Sequence, residues 1–421
     1  MADLAKRFAD NSSGAHVKNA YSSLGPINDF SDVLIPAAML TPAASNELAA
    51  EQTVHLCDGW RYATSAISAF LRNAQGEAIH YAYYAELRAA MSLYAGTGIR
   101  IRQGKNYYID SSGTKHPINP ANNGEKMQLR THTIAWALWE RWVKRNDVCD
   151  LVQNGLRVSA AVSLRTIIPG LALFSTEDMV LKWGSDLLAD PKRDREERNT
   201  ASYLPSHATK PLSRMSTDDV EFILALCDLL LPASSGLRNS LAFDSVLIQW
   251  LVQTAIESKV PDTDPDWAAK VQAERVRMID ELSASTGESK ELLSDLLIEP
   301  DETQANIFTH AASSSTEPRN VISRAIFLLR LATLSVEKSL ATSPGSPVSG
   351  WLLNWLDHIG IRSCTSDVNP SDLSADLQIA IDSHRSASFG KLPNELWEDP
   401  HAGNTYIISR ADRSVAWSVL S

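Results

Sequence analysis

Two segments of the chain hold the residue types that handle phosphate groups and protons. The first, from His80 to Met91, contains a His, a Glu and an Arg together with three tyrosines. The second, from Arg198 to Tyr203, follows the strongly charged run 192–197. Arginine stays charged at neutral pH and grips phosphate with a planar fork of donors, while histidine exchanges protons near neutral pH. A shared site requires that both segments lie on helices that pack side by side.

Together the two segments resemble the helical HEPN superfamily of prokaryotes, over about residues 45–230. Members of that family often have a YYA-type helix and, on a later helix, an Arg, a polar residue, three spacers and a His. Many are ribonucleases, often toxins or phage-defence effectors, and others are non-catalytic scaffolds. The resemblance implies a helical fold and four candidate catalytic residues, Arg198, Asn199, Tyr203 and His207.

The chain departs from the family pattern at the position of the base. Cleavage of RNA by its own 2′-hydroxyl needs a base with a pKa near neutrality and a cation at the phosphate. Tyr203 stands where the family has His, and a tyrosine of pKa about 10 is only ~0.1% ionised at pH 7. His207 and His132 are the alternative bases. In a structural interpretation, Arg198 instead pairs with Asp194 one helical turn earlier.

The other polar residues near the tyrosine segment have two interpretations. His80, Glu86 and Arg88 are spaced so that they do not share one helix face as a metal-binding set, which favours positions at the edge of the core. His132 follows Thr131, a residue suited to a helix N-cap. His132 therefore either lies at a cap or core edge, or joins a polar site with the first helices.

Residues 99–118 change from a helical to an alternating pattern, which predicts a β-hairpin inserted into the helical chain. The hairpin combines bases with aromatic residues, a combination that suits single-stranded nucleic acid through phosphate pairing and base stacking. The candidate nucleic-acid-binding residues are Arg100, Arg102, Lys105, Tyr107 and Lys115. The alternative is a solvated hairpin whose charges protect its edges.

Acidic residues are concentrated in one part of the chain. The formal net charge is −11, and residues 261–304 hold twelve acidic and four basic residues, a net charge of −8. This balance argues against bulk, sequence-independent binding to nucleic acid. The rest of the chain is close to neutral and still allows a local basic site, so RNA stays a candidate partner. The acidic stretch is typical of a solvated helical surface, with mimicry of nucleic acid as the alternative.

The sequence predicts no metal site and no cofactor. The four cysteines are far apart and form no CxxC pair, which disfavours a zinc site and a disulfide framework. Walker, GxGxxG, HExxH, GxSxG and EF-hand patterns are absent from the sequence. ATPase, dehydrogenase, zinc protease and serine hydrolase functions are therefore disfavoured.

Apolar residues recurring at steps of three and four predict a mainly α fold of multi-helix bundle domains. Helices are expected at about 45–73, 76–95, 126–145, 147–168, 176–190, 217–231, 241–258, 267–285, 289–297, 319–340 and 350–359. Residues 405–409 and 414–420 suggest a short C-terminal β element. Three parts are expected: an extended N-terminal arm (1–45), a HEPN-like helical domain carrying the hairpin (46–260), and a second helical domain (261–421).

The expected location is cytoplasmic, without membrane contact. The N-terminus lacks the apolar core of a signal peptide, and no apolar run reaches the length that crosses a bilayer. Eleven tryptophans and the acidic surface favour contacts with other proteins. The expected function is a non-catalytic interaction or scaffold component of a prokaryotic multi-gene system, for example one of antiviral (phage) defence. The expected partner is another protein or a second copy of this chain in a homo-oligomer. The alternative is a HEPN-like endoribonuclease acting on RNA.

Overall fold

Helices dominate the fold of this computed structural model, which describes residues 38–39, 42–102, 106–109, 114–118, 131–143, 145–167, 216–233, 240–260, 263–298, 300–313, 317–341, 370–386 and 407–413. The helices of these residues are α1 (Pro42–Leu71), α2 (Gln75–Gly96), α3 (Thr131–Val143), α4 (Asn146–Gly155), α5 (Leu164–Ile167), α6 (Thr217–Leu229), α7 (Ala242–Glu257), α8 (Trp267–Thr286), α9 (Lys290–Leu296), α10 (Glu302–Ala312), α11 (Pro318–Ala341) and α12 (Pro370–Ser386). The predicted mainly α fold with a small β insertion is confirmed.

Local sequence signals set several helix ends. α1 begins at Pro42, because the fixed φ of proline suits the first helical turn. Asn73, just after α1, has a φ of 58°, a left-handed conformation common where helices stop. Ser216 and Asp219 form a reciprocal capping box at the start of α6. Gly287 ends α8 with a φ of 78°, which glycine adopts without strain.

The predicted hairpin insertion is confirmed and is part of a small antiparallel sheet. Its strands are β2 (Ile99–Arg100), β3 (Tyr107–Ile109) and β4 (Thr114–Pro117). A further strand, β1 (Ala38–Met39), comes from the predicted N-terminal arm and pairs with β4, so the order is β1-β4-β3-β2. Within that arm, residues 38–39 are therefore strand and residues 42–45 are the start of α1.

The long helix α11 lies at the centre of the core. Every residue from Asn320 to Val336 is buried, as expected for a helix that is covered on all sides. It contacts α1, α2, α4 and α10. Two glycines allow this close approach: a Cβ at Gly59 would lie 2.6 Å from Leu329 Cδ2, and one at Gly155 would lie 3.0 Å from Leu334 Cδ1.

Residues on both sides of the predicted domain boundary at 261 contribute to one hydrophobic core. α11, from the predicted second domain, packs on α1 and α2 of the predicted first domain. The division of the chain into two helical domains, 46–260 and 261–421, stays a prediction.

Two predicted elements are wrong. The helix predicted over 147–168 is broken, because α4 ends at Gly155 and a turn closed by an Arg157–Ser163 bridge precedes α5. The C-terminal strand predicted over 405–409 is wrong at residues 407–409, which are helical turns leading into a 3-10 helix, Ala411–Arg413. A short apolar run such as Ile407-Ile408 does not distinguish strand from helix.

No helix in the described part of the chain is both long and apolar enough to span a membrane. The predicted elements at 176–190, 350–359 and 414–420 lie outside the described residues.

Candidate functional site

A seam of polar and aromatic side chains runs along the contact between α1 and α2. Residues at steps of three and four share one face of a helix, and both helices present such a row. The α1–α2 seam consists of Glu51, His55, Asp58 and Tyr62 on α1, Tyr81, Tyr84 and Arg88 on α2, and Arg100 on β2. Arg100 is buried and the other members are half-buried, so the seam lies at the boundary of the core.

An ion pair between Arg100 and Glu51 closes one end of the seam. Arg100 Nε lies 3.0 Å from both carboxylate oxygens of Glu51, and Nη2 lies 2.7 Å from Oε1. The side chain of Arg100 is only 5% exposed. Charge-assisted forks of this kind are strong. Arg100 was predicted as a contact for nucleic acid. In the structure its guanidinium forms an ion pair that links the sheet to α1.

Arg88 lies between His55 and Asp58 in the middle of the seam. Arg88 Nη1 is 3.1 Å from His55 Nδ1, and Arg88 Nε is 3.6 Å from Asp58 Oδ2. Because a guanidinium only donates, Nδ1 accepts and the imidazole proton resides on Nε2. Burial, and after it the charges of Arg88 and Arg100, lower the pKa of His55 to about 3. His55 is therefore neutral at pH 7 and a weak base.

Aromatic rings form the other end of the seam. Tyr62 stacks on Tyr84 with ring centroids 5.3 Å apart, and Tyr81 lies 6.4 Å from Tyr62. The ring of His80 contacts the two tyrosines that α2 contributes to the seam, with ring centroids 5.0 Å from Tyr84 and 5.5 Å from Tyr81. Tilted and offset contacts of this kind are favourable for aromatic pairs. The tyrosine segment of α2 thus contributes to a half-buried aromatic cluster.

His132 joins this cluster from α3, as one of its two sequence interpretations requires. Its Nδ1 lies 3.3 Å from Tyr83 Oη, and its ring stacks on Tyr83 and meets Tyr84 edge-on. Trp136 Nε1 donates to Tyr83 Oη at 3.3 Å. For Nε2 of His132 to act as a base, Nδ1 must hold the proton and donate it to Tyr83 Oη.

Two further hairpin candidates, Tyr107 and Lys115, contact each other within the sheet. Lys115 Nζ is 4.7 Å and Arg100 Cζ is 5.7 Å from the centre of the Tyr107 ring, so cation–π contacts within the sheet occupy this ring. Arg102 is exposed. Lys105 lies outside the described residues.

The four candidate catalytic residues are not among the residues that the structure describes. Arg198, Asn199, Tyr203 and His207 all fall in the gap between 167 and 216. Their place beside the tyrosine helix therefore stays a prediction. Within the described residues, no group of three or more His, Cys, Asp or Glu side chains could hold a metal ion.

A buried ionic network that the sequence analysis missed surrounds Arg330 on α11. Its Nε and Nη2 donate to the two carboxylate oxygens of Asp244 at 2.8 and 2.7 Å, and Nη1 lies 3.1 Å from Glu337 Oε1. Both Arg330 and Asp244 are 1% exposed. Burial acts to lower the pKa of Arg330, but the two carboxylates together raise it above its usual range. The network joins α11 to the start of α7.

A second buried pair joins α11 to α2. Arg324 Nε lies 3.1 Å from Glu86 Oε1, and Arg324 Nη1 donates to the carbonyl oxygen of Ser313 at 2.9 Å. The predicted position of Glu86 at the edge of the core is wrong, because α11 covers that face of α2 and buries the carboxylate. Two arginines within the apolar sequence of α11 are the signal that could have predicted buried acidic partners.

His55→Gln is expected to remove a pH-dependent loss of stability. The pKa of His55 is about 3 in the folded protein against 6.5 ordinarily, so the unfolded chain binds the extra proton first as the pH falls. The wild type should lose about 2 kcal/mol from this group between pH 6.5 and pH 5. Gln still offers Arg88 an acceptor but takes up no proton.

Denaturant unfolding of both proteins between pH 5 and 7.5 would measure this difference. The offset at pH 7.5, where the imidazole is neutral in both states, reports the packing effect alone and serves as the internal control. A difference between variant and wild type that stays constant down to pH 5 would show that His55 titrates normally.

Comparison of the chain with protein-family models, with curated proteins and with solved structures gives no significant match.

Proposed function

We propose that this chain is a non-catalytic helical interaction protein, a scaffold component of a prokaryotic multi-gene system. The observation that carries the proposal is a set of exposed apolar side chains on an acidic surface. Val276 on α8, Leu292 on α9 and Ile298 just after α9 are 48%, 40% and 59% exposed. Contiguous exposed apolar patches mark surfaces that bind other proteins, and the proposal requires that these three side chains form one such patch.

The ionic chemistry of the core supports a structural role for several conspicuous polar residues. Inside the helix packing, Glu86 pairs with Arg324, and Asp244 pairs with Arg330. Such pairs orient helices and do not contact a substrate in solution. The link to a multi-gene system, and to phage defence, rests on the HEPN resemblance of residues 45–230.

Co-expression with the products of neighbouring genes would test this function. The expected result is a complex of fixed stoichiometry, or a defined homo-oligomer, measured by affinity purification followed by size-exclusion chromatography with light scattering. A chain that stays monomeric beside every neighbour and cleaves RNA unaided would contradict the proposal.

His132 favours one alternative function, a HEPN-like endoribonuclease. Its contact with Tyr83 brings a titratable group to the tyrosine helix, where such a nuclease would need a base. Arg198 would hold the phosphate in this alternative. It requires that the purified protein cleaves RNA and slows cell growth on overexpression, and that Arg198→Ala and His132→Ala abolish both effects. Equal behaviour of all three proteins without RNA cleavage would remove this alternative.

A further inference from the structure

The outer face of α9 combines exposed apolar side chains with unbalanced negative charge. Leu292 on α9 and Ile298, two residues after the end of that helix, are 40% and 59% exposed. Glu291 and Asp295, one helical turn apart, are exposed beside them. These four residues are called the α9 face below.

The packing of α9 fixes this face toward solvent. Leu293 and Leu297 are buried in the hydrophobic core on the opposite side of the segment. Ser289 caps the helix by accepting from the backbone N–H of Leu292 at 3.1 Å, and Gln249 Nε2 donates to the carbonyl oxygen of Leu296 at 3.1 Å. Anchored in this way, the helix cannot turn its exposed apolar side chains inward without losing the buried leucines.

The charge of the α9 face is not neutralised within the described residues. Lys290, the nearest base in sequence, pairs with Asp280 on α8 at 2.6 Å. On α8 itself, Arg277 pairs with Glu274 and Glu281. Glu291 and Asp295 form no ion pair with any residue that the structure describes. A partner would therefore meet two uncompensated carboxylates next to two aliphatic side chains.

We propose that the α9 face binds a basic amphipathic segment of a partner protein. Lys or Arg side chains of that segment would pair with Glu291 and Asp295, while its apolar side chains would cover Leu292 and Ile298. Opposite charge gives such a contact its orientation and its association rate, and the apolar contact gives it affinity. The inference rests on the proposed interaction function and names the partner class that this surface takes.

Fluorescence anisotropy with three labelled peptides tests this binding on the full-length protein. The first peptide is a helix of Leu and Lys of about five turns with all leucines on one face. The second replaces every Lys with Glu, and the third replaces every Leu with Ser. We expect binding of the Leu/Lys peptide only, with an affinity that falls as salt is added.

Two double variants locate the binding site. Glu291→Lys with Asp295→Lys, and Leu292→Ser with Ile298→Ser, are each expected to weaken binding by about tenfold or more. The matched controls are Asp266→Lys, an exposed acid at the start of α8, and Ile379→Ser, an aliphatic side chain on α12 that is 63% exposed. Both controls should bind like the wild type, and thermal unfolding confirms that every variant is folded.

Three results would overturn the proposal: no binding of the Leu/Lys peptide, equal binding by all variants, or equal binding of the Lys/Ser peptide, which indicates charge attraction alone. The native partner separates this inference from the proposed function. If the Leu292→Ser and Ile298→Ser variant still forms the native complex, the α9 face is not the docking site and the interaction function stands.

Discussion

Replacing Asp244 with Asn is expected to lower the free energy of unfolding by about 3–5 kcal/mol, the usual cost of breaking a buried ion pair from one side. Asp244 binds Arg330 through both oxygens, and Oδ2 also accepts from the backbone N–H of Leu241 at the start of α7. Asn would turn an N–H group toward a guanidinium that has only donors to offer. The variant thus loses the charge and one arm of the fork, and it also loses the contact with Leu241 N–H where the amide nitrogen takes the Oδ2 position.

Chemical denaturation followed by tryptophan fluorescence and far-UV circular dichroism would measure the Asp244 effect. Asp150→Asn is the matched control, because Asp150 pairs with Arg165 at 3.4 Å with both side chains more than half exposed. Exposed pairs contribute about 0–1 kcal/mol. An Asp244→Asn loss as small as that of the control would mean that Arg330 does not depend on this carboxylate.

Helix positions were largely predictable because the apolar period is a local signal. The bounds of α1, α2, α6, α7 and α8 differ from the prediction by a few residues. α10 and α12 were not predicted, although Asp301 caps α10 by accepting from the backbone N–H groups of Thr303 and Gln304. The apolar faces of these two helices are short and lie within polar sequence. A segment with such a weak apolar period is easily mistaken for a loop.

Close approaches between helices could not be predicted from local patterns. Gly59 lies in the interior of α1, where glycine lowers stability relative to alanine, and Gly96 is the last residue of α2. A Cβ at Gly96 would lie 2.5 Å from Ser335 Oγ and 2.7 Å from Gln52 Nε2. At both glycines the nearest atom belongs to α11, whose residues are more than 200 positions further along the chain, and Gln52 on α1 also crowds Gly96.

The α2 side of the seam was visible in the sequence, whereas its α1 side and its geometry were not. The tyrosine stripe of α2 and the doubtful placement of His132 were visible in sequence, and the structure brings them together at Tyr83. The partners of Arg88 and Arg100 come from α1, 33 and 49 positions away. The ion pair of Arg100 could not be predicted from the hairpin alone, because its partner Glu51 lies on α1.

Glu337→Gln is expected to stabilise the protein at neutral and alkaline pH. Glu337 lies beside Arg330, but burial raises its pKa, and the attraction of Arg330 does not offset this burial and the repulsion of Asp244. The result is a pKa of about 7 against an ordinary 4.5. The difference corresponds to a cost of about 3 kcal/mol for keeping Glu337 ionised in the fold.

The sign of the pH dependence follows from which state holds the proton. Between pH 4.5 and 7 the folded protein keeps a proton on Glu337 that the unfolded chain has released, so wild-type stability falls as the pH rises through this window. Gln resembles the protonated acid and does not titrate. The stability of Glu337→Gln relative to wild type should therefore be near zero at pH 4.5 and rise to about 3 kcal/mol above pH 7.

Unfolding free energies of both proteins from pH 4.5 to 8 would measure this rise, with Glu281→Gln on the exposed surface of α8 as the control for removing an acid. His55 acts in the opposite direction over pH 5 to 6.5, because its low pKa makes the folded protein more stable as the pH rises. The two slopes partly cancel in the wild type, so a nearly flat wild-type profile is compatible with both. Destabilisation by Glu337→Gln at pH 8 would instead show that the ionised carboxylate is needed to neutralise Arg330, and that Asp244 alone does not suffice.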